Sequence, residues 1–260
     1  MKSELKKAIE SKGLKVFGEL IEINGELFPL PLTECNGKIG RVMNSSTAPG
    51  TKEKTAVNPK TGETVTTTGT CPADCKGCYA QAGRYRMNRN MFLLIMRTRF
   101  LREYPEIYGA ILAMQLDLEK AEQLRIHAAG DFIEKEARMY YDILKDRPGV
   151  KTWTYTKHEI KGDIALLDSL ENVNIVKSII PGFGFNYGHA DYIVKVFAAL
   201  KKAGKKVYIC RCGIDPNQHC ENCSGCSSHE YVLFIEHSTG YNVKKDPNYK
   251  MIHDLIESQK

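Results

Sequence analysis

Hydrophobic and polar positions after residue 88 follow two alternating periods. Met91, Leu94, Ile95, Thr98 and Leu101 recur at three- and four-residue intervals, which is the spacing of one buried helix face. Short apolar runs, about four to eight residues long as in buried strands, separate the helical segments. The pattern predicts helices at residues 88–103, 105–122, 133–145, 163–170, 190–203 and 247–258, and strands at 124–129, 151–156, 173–180, 205–210 and 231–236.

The first third of the chain lacks this alternation. Residues 1–34 predict a short helix followed by extended segments at 14–23 and 27–32. Residues 44–70 are rich in Thr, Ser, Gly, Pro and Lys and predict a polar loop with a hairpin around 58–62, where Asn, Pro and Gly favour a turn. A long loop in a compact domain is more often functional than accidental, and this one leads directly into a group of cysteines.

The alternation of strands and helices predicts parallel βαβ units. With one strand ahead of the first cysteine group, the sheet has about six strands, and both an open doubly wound sheet and a complete or partial barrel fit this order. We expect one domain over residues 1–260, with 1–35 as an N-terminal extension and 209–230 as a cysteine-rich loop between late strands. Functional sites of parallel α/β folds lie at the carboxyl ends of strands.

Composition narrows the cellular setting. The apolar fraction of 42% over 260 residues supports a real core. The chain has no run of eighteen apolar residues and no signal-peptide core in residues 1–20, so we expect a cytoplasmic protein with no membrane partner. In a reducing cytoplasm, clustered cysteines are more often metal ligands than disulfides.

The charge balance gives a weaker indication. A formal charge of +6, from 37 Lys and Arg against 31 Asp and Glu, fits an ordinary solvated surface. A run of arginines nevertheless follows the first cysteine group and is able to bind a phosphate-bearing substrate or a nucleic-acid backbone: Arg84, Arg86, Arg89, Arg97, Arg99 and Arg102. The sequence has no RNA-binding aromatic motif and no helix-turn-helix, so a nucleic-acid partner remains a side hypothesis.

The first cysteine group has the spacing C-x3-C-x2-C. Its members are Cys71, Cys75 and Cys78, within residues 70–80. Three thiolates this close can hold three irons of a four-iron cluster and leave the fourth iron open to a substrate or cofactor. The competing interpretation is a tetrahedral zinc completed by His127 or His229, although structural zinc sites usually use C-x2-C pairs separated by a longer loop.

A second cysteine group lies near the C-terminus: Cys210, Cys212, Cys220, Cys223 and Cys226. The C-x2-C-x2-C run from Cys220 resembles the ferredoxin-type ligand run, with Cys210 or Cys212 as the fourth thiolate. A cluster on the last three cysteines alone would leave a second open iron. Zinc competes here too, with His219 and His229 as alternative ligands. Cys35 stands apart, and we expect it to be a buried or free thiol.

The order of strand, C-x3-C-x2-C loop, helix and further βα units resembles the radical S-adenosylmethionine (SAM) superfamily. The resemblance implies a partial (β/α)6 barrel in which Cys71, Cys75 and Cys78 bind a [4Fe-4S] cluster and SAM chelates the open iron. It also implies reductive SAM cleavage to a 5′-deoxyadenosyl radical, a small-molecule substrate, and an electron donor such as ferredoxin or flavodoxin. The second cysteine group would then hold an auxiliary [4Fe-4S] cluster.

Further residues correspond to superfamily positions. Gly130 and Asp131 stand where a Gly-Gly-Glu motif meets the SAM amino group, and Ser178 stands where a polar side chain contacts ribose. The superfamily usually has an aromatic residue immediately before the third cysteine, whereas this chain has Gly77 there and Tyr79 just after the cysteine. Its glycine-rich motif on the fifth strand has no clear counterpart here.

The departures around the third cysteine have a resemblance of their own. The run from Cys75 to Ala80 resembles a divergent branch found in bacteriophages and other mobile elements, the gene product 88 type. This resemblance covers roughly residues 36–236 and implies an iron–sulfur protein.

Three residues are candidates for catalysis: Asp131, His127 and Lys157. His127 shares strand parity with Asp131 and so faces the same site, or else is a hydrogen-bonded core histidine. Lys157 and His158 either point into the site or begin a polar loop. Three functions follow: a radical SAM-like enzyme with two clusters, an iron–sulfur enzyme that uses its open iron on another small molecule, and a zinc-stapled nucleic-acid-binding module.

Overall fold

The computed structural model describes residues 3–34, 42–74, 78, 80, 83–211, 215, 218–235 and 243–259. The predictions for Cys35, Cys75, Gly77, Tyr79 and Cys212 lie outside these residues. The helices are α1 (Ser3–Glu10), α2 (Asn88–Glu103), α3 (Pro105–Leu118), α4 (Glu136–Leu144), α5 (Asp163–Asp168), α6 (Ala190–Lys202), α7 (Gly225–Ser228) and α8 (Tyr249–Glu257).

The strands are short and follow one another closely in the N-terminal third. They are β1 (Lys15–Phe17), β2 (Leu20–Ile23), β3 (Glu26–Pro29), β4 (Thr33–Glu34), β5 (Met43–Asn44), β6 (Glu53–Val57), β7 (Thr64–Thr68), β8 (Gln123–Ile126), β9 (Lys151–Thr156), β10 (Val173–Lys177), β11 (Ile179–Ile180), β12 (Gly184–Phe185), β13 (Tyr187–Gly188), β14 (Val207–Ile209) and β15 (Tyr231–Ile235). The predicted alternation of helices and strands is therefore present after residue 88.

Backbone conformation explains where element ends differ from the sequence pattern. The strand predicted at 124–129 ends at Ile126 because His127 has a left-handed backbone with φ 58°. The helix predicted from residue 133 begins at Glu136, after Lys135 with φ 65°. By contrast, Pro105 separates α2 from α3 as predicted, since proline is tolerated in the first turn of a helix but not in its interior.

The largest sheet has the strand order β10-β9-β8-β5-β4. Neighbours from β5 to β10 are parallel, and β4 is antiparallel to β5 at one edge. A second parallel sheet has the order β13-β15-β14. Strand β15 therefore lies in the centre of this sheet, although it comes last in the sequence. The fold is mixed α/β, and none of the sheets closes on itself within the described residues.

Asn186 joins the two parallel sheets at their carboxyl ends. The backbone N–H of Ser178 donates to the carbonyl of Thr156 (2.8 Å), and that of Asn186 donates to the carbonyl of Ser178 (3.0 Å). The N–H of Phe234 then donates to the carbonyl of Asn186 (2.8 Å). The Asn186 side chain also donates to the carbonyl of Val232 (2.9 Å). Hydrogen bonds thus run without interruption from β9 to β15.

The strands carry different residues on their two faces. Leu124, Ile126 and Ile175 face the core that α3, α4 and α5 complete, and Ile209 and Leu233 face the core that α6 and α8 complete. Adjacent strand residues point to opposite faces. On the opposite face Val176, Tyr208 and Val232 pack with Tyr155, Phe234 and three cysteines of the second group. The longer helices therefore cover one face, and the cysteine-rich loop with the single-turn helix α7 covers the other.

The N-terminal residues pack onto the same core as the helices. The antiparallel strands β1, β2 and β3 form a small sheet, and Phe28 of β3 lies against Phe100 of α2 with ring centroids 5.1 Å apart. Leu5, Ile21 and Phe28 are almost fully buried, and each such side chain contributes about 1.5–3 kcal/mol of hydrophobic stabilisation. None of the helices described here has the length and hydropathy needed to cross a bilayer.

Candidate metal centres

The β6–β7 hairpin carries the chain away from the end of β5 and returns it there. Its strands pair in antiparallel register from Glu53 with Thr68 to Val57 with Thr64. Below the hairpin, Thr70 N–H donates to the carbonyl of Ala48 (2.9 Å), and Cys71 N–H donates to the carbonyl of Gly50 (3.1 Å). The first cysteine of the sequence motif therefore lies beside the carboxyl end of β5, where parallel α/β folds place their sites.

Cys71 lies in a half-buried environment with charged neighbours. The Gly50 N–H donates to its Sγ (3.2 Å). Burial raises the pKa of the Cys71 thiol, Lys157 opposes this rise, and Asp131 and Cys78 add to it. Cys78, Asp131 and Lys157 therefore all lie within electrostatic reach of Cys71, which places two of the three catalytic candidates near the first cysteine group.

Asp74 fixes the loop that follows Cys71. The backbone N–H and the hydroxyl of Thr51 donate to its two carboxylate oxygens, at 3.0 Å and 2.7 Å. These hydrogen bonds lower the pKa of the Asp74 carboxyl because they stabilise its charged form. The loop is thus tied to the segment that follows β5.

Asp131 is a fully buried carboxylate that accepts hydrogen bonds from three donors. Its Oδ1 accepts hydrogen bonds from the Thr156 hydroxyl (2.7 Å) and the Phe132 N–H (2.9 Å). Its Oδ2 accepts from the Lys157 N–H (2.9 Å) and lies 3.7 Å from Lys157 Nζ. A buried carboxylate needs such partners to offset its desolvation. Asp131 is thereby held against the carboxyl end of β9 in one orientation.

Gly130 occupies a position that only glycine fits. Its φ is +89°, and a Cβ there would overlap Oγ1 of Thr47 and approach Oγ1 of Thr70. The two threonine hydroxyls are 2.9 Å apart, and Thr70 Oγ1 also accepts a hydrogen bond from the Asp131 N–H (2.9 Å). Gly130 therefore lets the segments after β5, β7 and β8 meet closely. Neither threonine contact is predicted from the sequence. The one local signal for Thr47 is that a Ser-Ser-Thr run follows β5 directly.

His127 pairs with Glu136 inside the core. The two side chains are 0% and 1% exposed, and His127 Nε2 lies 2.9 Å from Glu136 Oε1. Burial alone would lower the pKa of His127, but the contact with Glu136 outweighs it and the pKa is raised. Because β8 ends at Ile126, strand parity does not extend from His127 to Asp131. The contact with Glu136, which the sequence reading missed, is the geometry of a hydrogen-bonded core histidine.

Two other predicted residues are held by backbone contacts. His158 Nε2 lies 3.1 Å from the carbonyl oxygen of Phe132, so its ring points back toward the segment that carries Asp131. Ser178 is half-buried and uses its backbone N–H and carbonyl in the link between β9 and Asn186. Ser178 therefore lies directly after β10 and before β11, whereas the sequence pattern predicts one continuous strand over residues 173–180.

The second cysteine group lies on the sheet face opposite the helices. Cys210 follows β14 and donates its N–H to the carbonyl of Leu233 (2.8 Å), while Cys226 belongs to α7. Burial raises the pKa of Cys226 to about 12; the hydrogen bond from Tyr155 opposes this rise, and the charges of Cys220 and Cys223 add to it. These thiols thus share one local environment.

Side chains of the parallel strands hold the cysteine-rich loop in place. Gln123 donates to the carbonyl of Glu221 (3.1 Å), and Asn174 donates to the carbonyls of Cys226 (2.7 Å) and His229 (2.9 Å). The Tyr155 hydroxyl donates to Cys226 Sγ at 2.6 Å. The sequence reading missed these contacts, although polar residues at alternate positions of buried strands are a signal that something polar covers that face.

Tyr208 and Gly225 contact each other beneath the loop. The Tyr208 hydroxyl lies 3.5 Å from Cys223 Sγ, and a Cβ on Gly225 would overlap the Tyr208 ring. The tyrosine ring therefore sets how closely α7 approaches the sheet.

The donor set suits a metal that prefers thiolates. The six described cysteines, Cys71, Cys78, Cys210, Cys220, Cys223 and Cys226, take part in no disulfide. Within the described residues His219 Nδ1 is buried without a hydrogen-bond partner, whereas His229 Nδ1 contacts the carbonyl of Gly225 (3.1 Å). In that same part of the chain, no three His, Cys, Asp or Glu side chains already converge on one point. Thiolates with an imidazole nearby fit iron or zinc.

Several arginines of the predicted basic group are used inside the chain. The buried Arg97 donates to the carbonyl of Leu30 (2.8 Å), and Arg99 forms ion pairs with Glu26 (2.6 Å) and Glu103 (2.9 Å). Arg102 donates to the hydroxyl of Thr67 and the carbonyl of Thr68, both at 2.8 Å. These contacts fix α2 against β3 and β7, so the three arginines serve packing.

The family comparison agrees with the resemblance seen around Cys75–Ala80. The model of the gene product 88 family, which is associated with bacteriophages, matches residues 32–230. The match includes both cysteine groups, Asp131, Lys157 and the strands from β4 to β14. Comparisons with curated proteins and with solved structures found no significant match. The chain therefore belongs to the gene product 88 family.

Proposed function

We propose that this chain is an iron–sulfur enzyme related to the radical SAM superfamily. Cys71, Cys75 and Cys78 hold a [4Fe-4S] cluster with an open iron, and the second cysteine group holds an auxiliary [4Fe-4S] cluster. The observation that carries the proposal is the position of Cys71 beside the carboxyl end of β5, where Cys78, Asp131 and Lys157 all influence its charge. An open iron beside a fixed carboxylate and an amine is suited to binding a small polar ligand.

The proposed architecture is a partial (β/α)6 barrel. Two features support it: the helices other than the single-turn α7 lie on one face of the parallel strands, and Asn186 links the two sheets. A doubly wound sheet carries helices on both faces, whereas a barrel carries them only on the outside. The cysteine-rich loop then lies on the inner face of the barrel.

The chain's own residues suit a ligand with an amino acid moiety. The Asp131 carboxylate is oriented by Thr156 and Phe132 and would meet the amine of the ligand. Lys157, 10% exposed and close to Cys71, would meet its carboxylate. A cluster bound by Cys71, Cys75 and Cys78 would, when reduced by an electron donor, provide the electron needed to cleave SAM. Asp131, which is fully buried, and Lys157, which is 10% exposed, would orient the ligand where little water reaches it.

The experiment that tests SAM binding is EPR spectroscopy of the reduced protein. We expect added SAM to perturb the cluster signal and to yield 5′-deoxyadenosine. Lys157→Ala should weaken this response by about tenfold or more, whereas Lys161→Ala, an exposed neighbour paired with Glu159, should leave it unchanged. Equal iron content in the two variants shows that both are folded.

The alternative outcomes separate the candidate functions. A protein that contains iron but gives neither a spectral response nor 5′-deoxyadenosine would rule out SAM chemistry and favour another small molecule at the open iron. If zinc occupies the second cysteine group alone, the auxiliary cluster is ruled out. Among the described residues, His219 Nδ1 is a buried nitrogen without a hydrogen-bond partner, so zinc is the metal to test against iron at that group.

A further inference from the structure

Strand β9 lies between the two cysteine groups and contacts the surroundings of both. The Tyr155 hydroxyl donates to Cys226 Sγ (2.6 Å) in the second group. The hydroxyl of the next residue, Thr156, donates to Asp131 (2.7 Å), which lies within electrostatic reach of Cys71. Because consecutive strand residues point to opposite faces, one strand presents a hydrogen-bond donor to each site.

The Tyr155 side chain is held by its neighbours on adjacent strands. Its ring packs edge-on against Phe234 with centroids 5.3 Å apart, and the Arg125 guanidinium carbon lies 5.5 Å from the ring centroid. Asn174 holds the backbone carbonyl of Cys226 at 2.7 Å, so both ends of the Tyr155–Cys226 hydrogen bond are positioned by neighbouring strands. A cation over a phenol ring polarises it, which makes the hydroxyl a stronger donor.

A hydrogen bond to a ligand sulfur has a known electronic consequence. It withdraws electron density from the thiolate and stabilises the more negative, reduced cluster more than the oxidised one. A nearby positive charge acts in the same direction, and Arg125 lies close enough to Cys226 to favour its anionic form. Tyr155 and Arg125 lie on the sheet face that the cysteine-rich loop covers. The low dielectric constant of these buried surroundings strengthens the hydrogen bond and the charge interaction.

We propose that Tyr155 raises the reduction potential of the cluster held by the second cysteine group through its hydrogen bond to Cys226, with Arg125 reinforcing that bond. This inference rests on the proposed function, since it requires a [4Fe-4S] cluster at that group. Tyr155 is a positioning and tuning residue, not a catalytic one. The tuned cluster then accepts electrons at a higher potential than it would without the phenol.

The test is a redox titration followed by EPR on the anaerobically purified protein. A variant with Cys71, Cys75 and Cys78 replaced by Ser assigns the signal of the second cluster. Tyr155→Phe keeps the ring and removes only the hydroxyl, and we expect it to shift the midpoint potential of that signal to a more negative value. Arg125→Gln should shift it in the same direction. Tyr231→Phe is the matched control, because Tyr231 is also buried but its ring lies near Lys177, so the potential should not change.

The outcomes distinguish this inference from the proposed function. A second cluster with the same potential in Tyr155→Phe and in the unmodified protein would overturn the inference and leave the two-cluster proposal standing. Zinc in place of iron at the second group would overturn both. A shift of equal size in Tyr231→Phe would also overturn the inference, since it would show a general effect of removing a buried hydroxyl.

Discussion

At the scale of single residues, two buried carboxylates that follow β8 have different partners. Asp131 accepts from a hydroxyl and two backbone N–H groups and lies 3.7 Å from Lys157 Nζ. Glu136 is bonded to His127 (2.9 Å) and to the Ile133 N–H (3.0 Å). The partners of Asp131 lead toward Cys71, whereas those of Glu136 lie within the core. Glu136 therefore supports the core, and Asp131 is the carboxylate that we propose for ligand binding.

The His127–Glu136 pair makes stability depend on pH in a defined direction. The folded protein raises the pKa of His127 above its ordinary value of 6.5, so the pair's contribution is complete below that pH and is lost as pH rises through the folded pKa. We expect His127→Gln to lower the free energy of unfolding by about 1–3 kcal/mol near pH 6 and by less near pH 9. Urea unfolding of both proteins at the two pH values measures this. A difference that does not vary with pH would contradict the assigned pair.

Residue types and spacing predicted which segments lie near one another better than the contacts that hold them. Cys71, Asp131 and Lys157 could be expected at neighbouring strand ends because each follows a strand predicted for a parallel sheet, and their role as a site stays a prediction. The contacts of Thr70, Glu136 and Tyr155 could not be expected, because a Thr, Glu or Tyr in the sequence carries no sign of which distant group it will meet. Thr70 reaches Asp131 and Tyr155 reaches Cys226 only after the strands have assembled.

At the scale of elements, the β6–β7 hairpin determines where the first cysteine group lies. The chain leaves β5, forms the hairpin and returns to the same place, where Gly69 N–H bonds to the carbonyl of Lys52 (3.0 Å) and Thr70 N–H to that of Ala48 (2.9 Å). The hairpin itself packs against α2, with Arg102 donating to Thr67 and Thr68. Cys71 is thus positioned by backbone hydrogen bonds between the segment that follows β5 and the segment that follows β7.

Replacing Thr70 tests these hydrogen bonds most directly, because its backbone bonds to Ala48 and its side chain bonds to the Asp131 N–H. Thr70→Val keeps the shape of the side chain but leaves the buried Asp131 N–H without its acceptor, which should cost about 1–3 kcal/mol of unfolding free energy. The same variant should lose iron from the first cysteine group. Thr66→Val, on the exposed side of the same hairpin, is the control and should change neither property. Unfolding curves and iron analysis of the two variants check this. Equal unfolding free energies and equal iron contents would show that the hydrogen bonds of Thr70 do not position the first cysteine group.

The sequence predicted long elements well and short ones poorly. Helix α2 and strand β9 have the predicted bounds because their apolar positions repeat over many residues. Strand β5 has two residues, too few to show a period, and the order β15 before β14 depends on the bridge through Asn186. Pairing order is a tertiary property, so local patterns did not reveal it.

At the scale of the whole molecule, the sheet separates two kinds of packing. One face is covered by helices with aliphatic side chains, and the other by a short cysteine-rich loop that hydrogen-bonds to strand residues. A loop with so few apolar residues gains little from burial, so a bound metal would contribute to holding it on the sheet. Removing that metal should loosen the loop and leave the helix-covered core folded.

The central claim is that the two cysteine groups bind iron–sulfur clusters, and metal analysis of anaerobically purified protein tests it most directly. The account predicts a brown protein with about eight irons per chain and little zinc. Replacing Cys71 and Cys78 by Ser should remove about half of the iron, replacing Cys223 and Cys226 should remove the other half, and Cys35→Ser should remove none. A colourless protein with stoichiometric zinc and no iron would contradict the account.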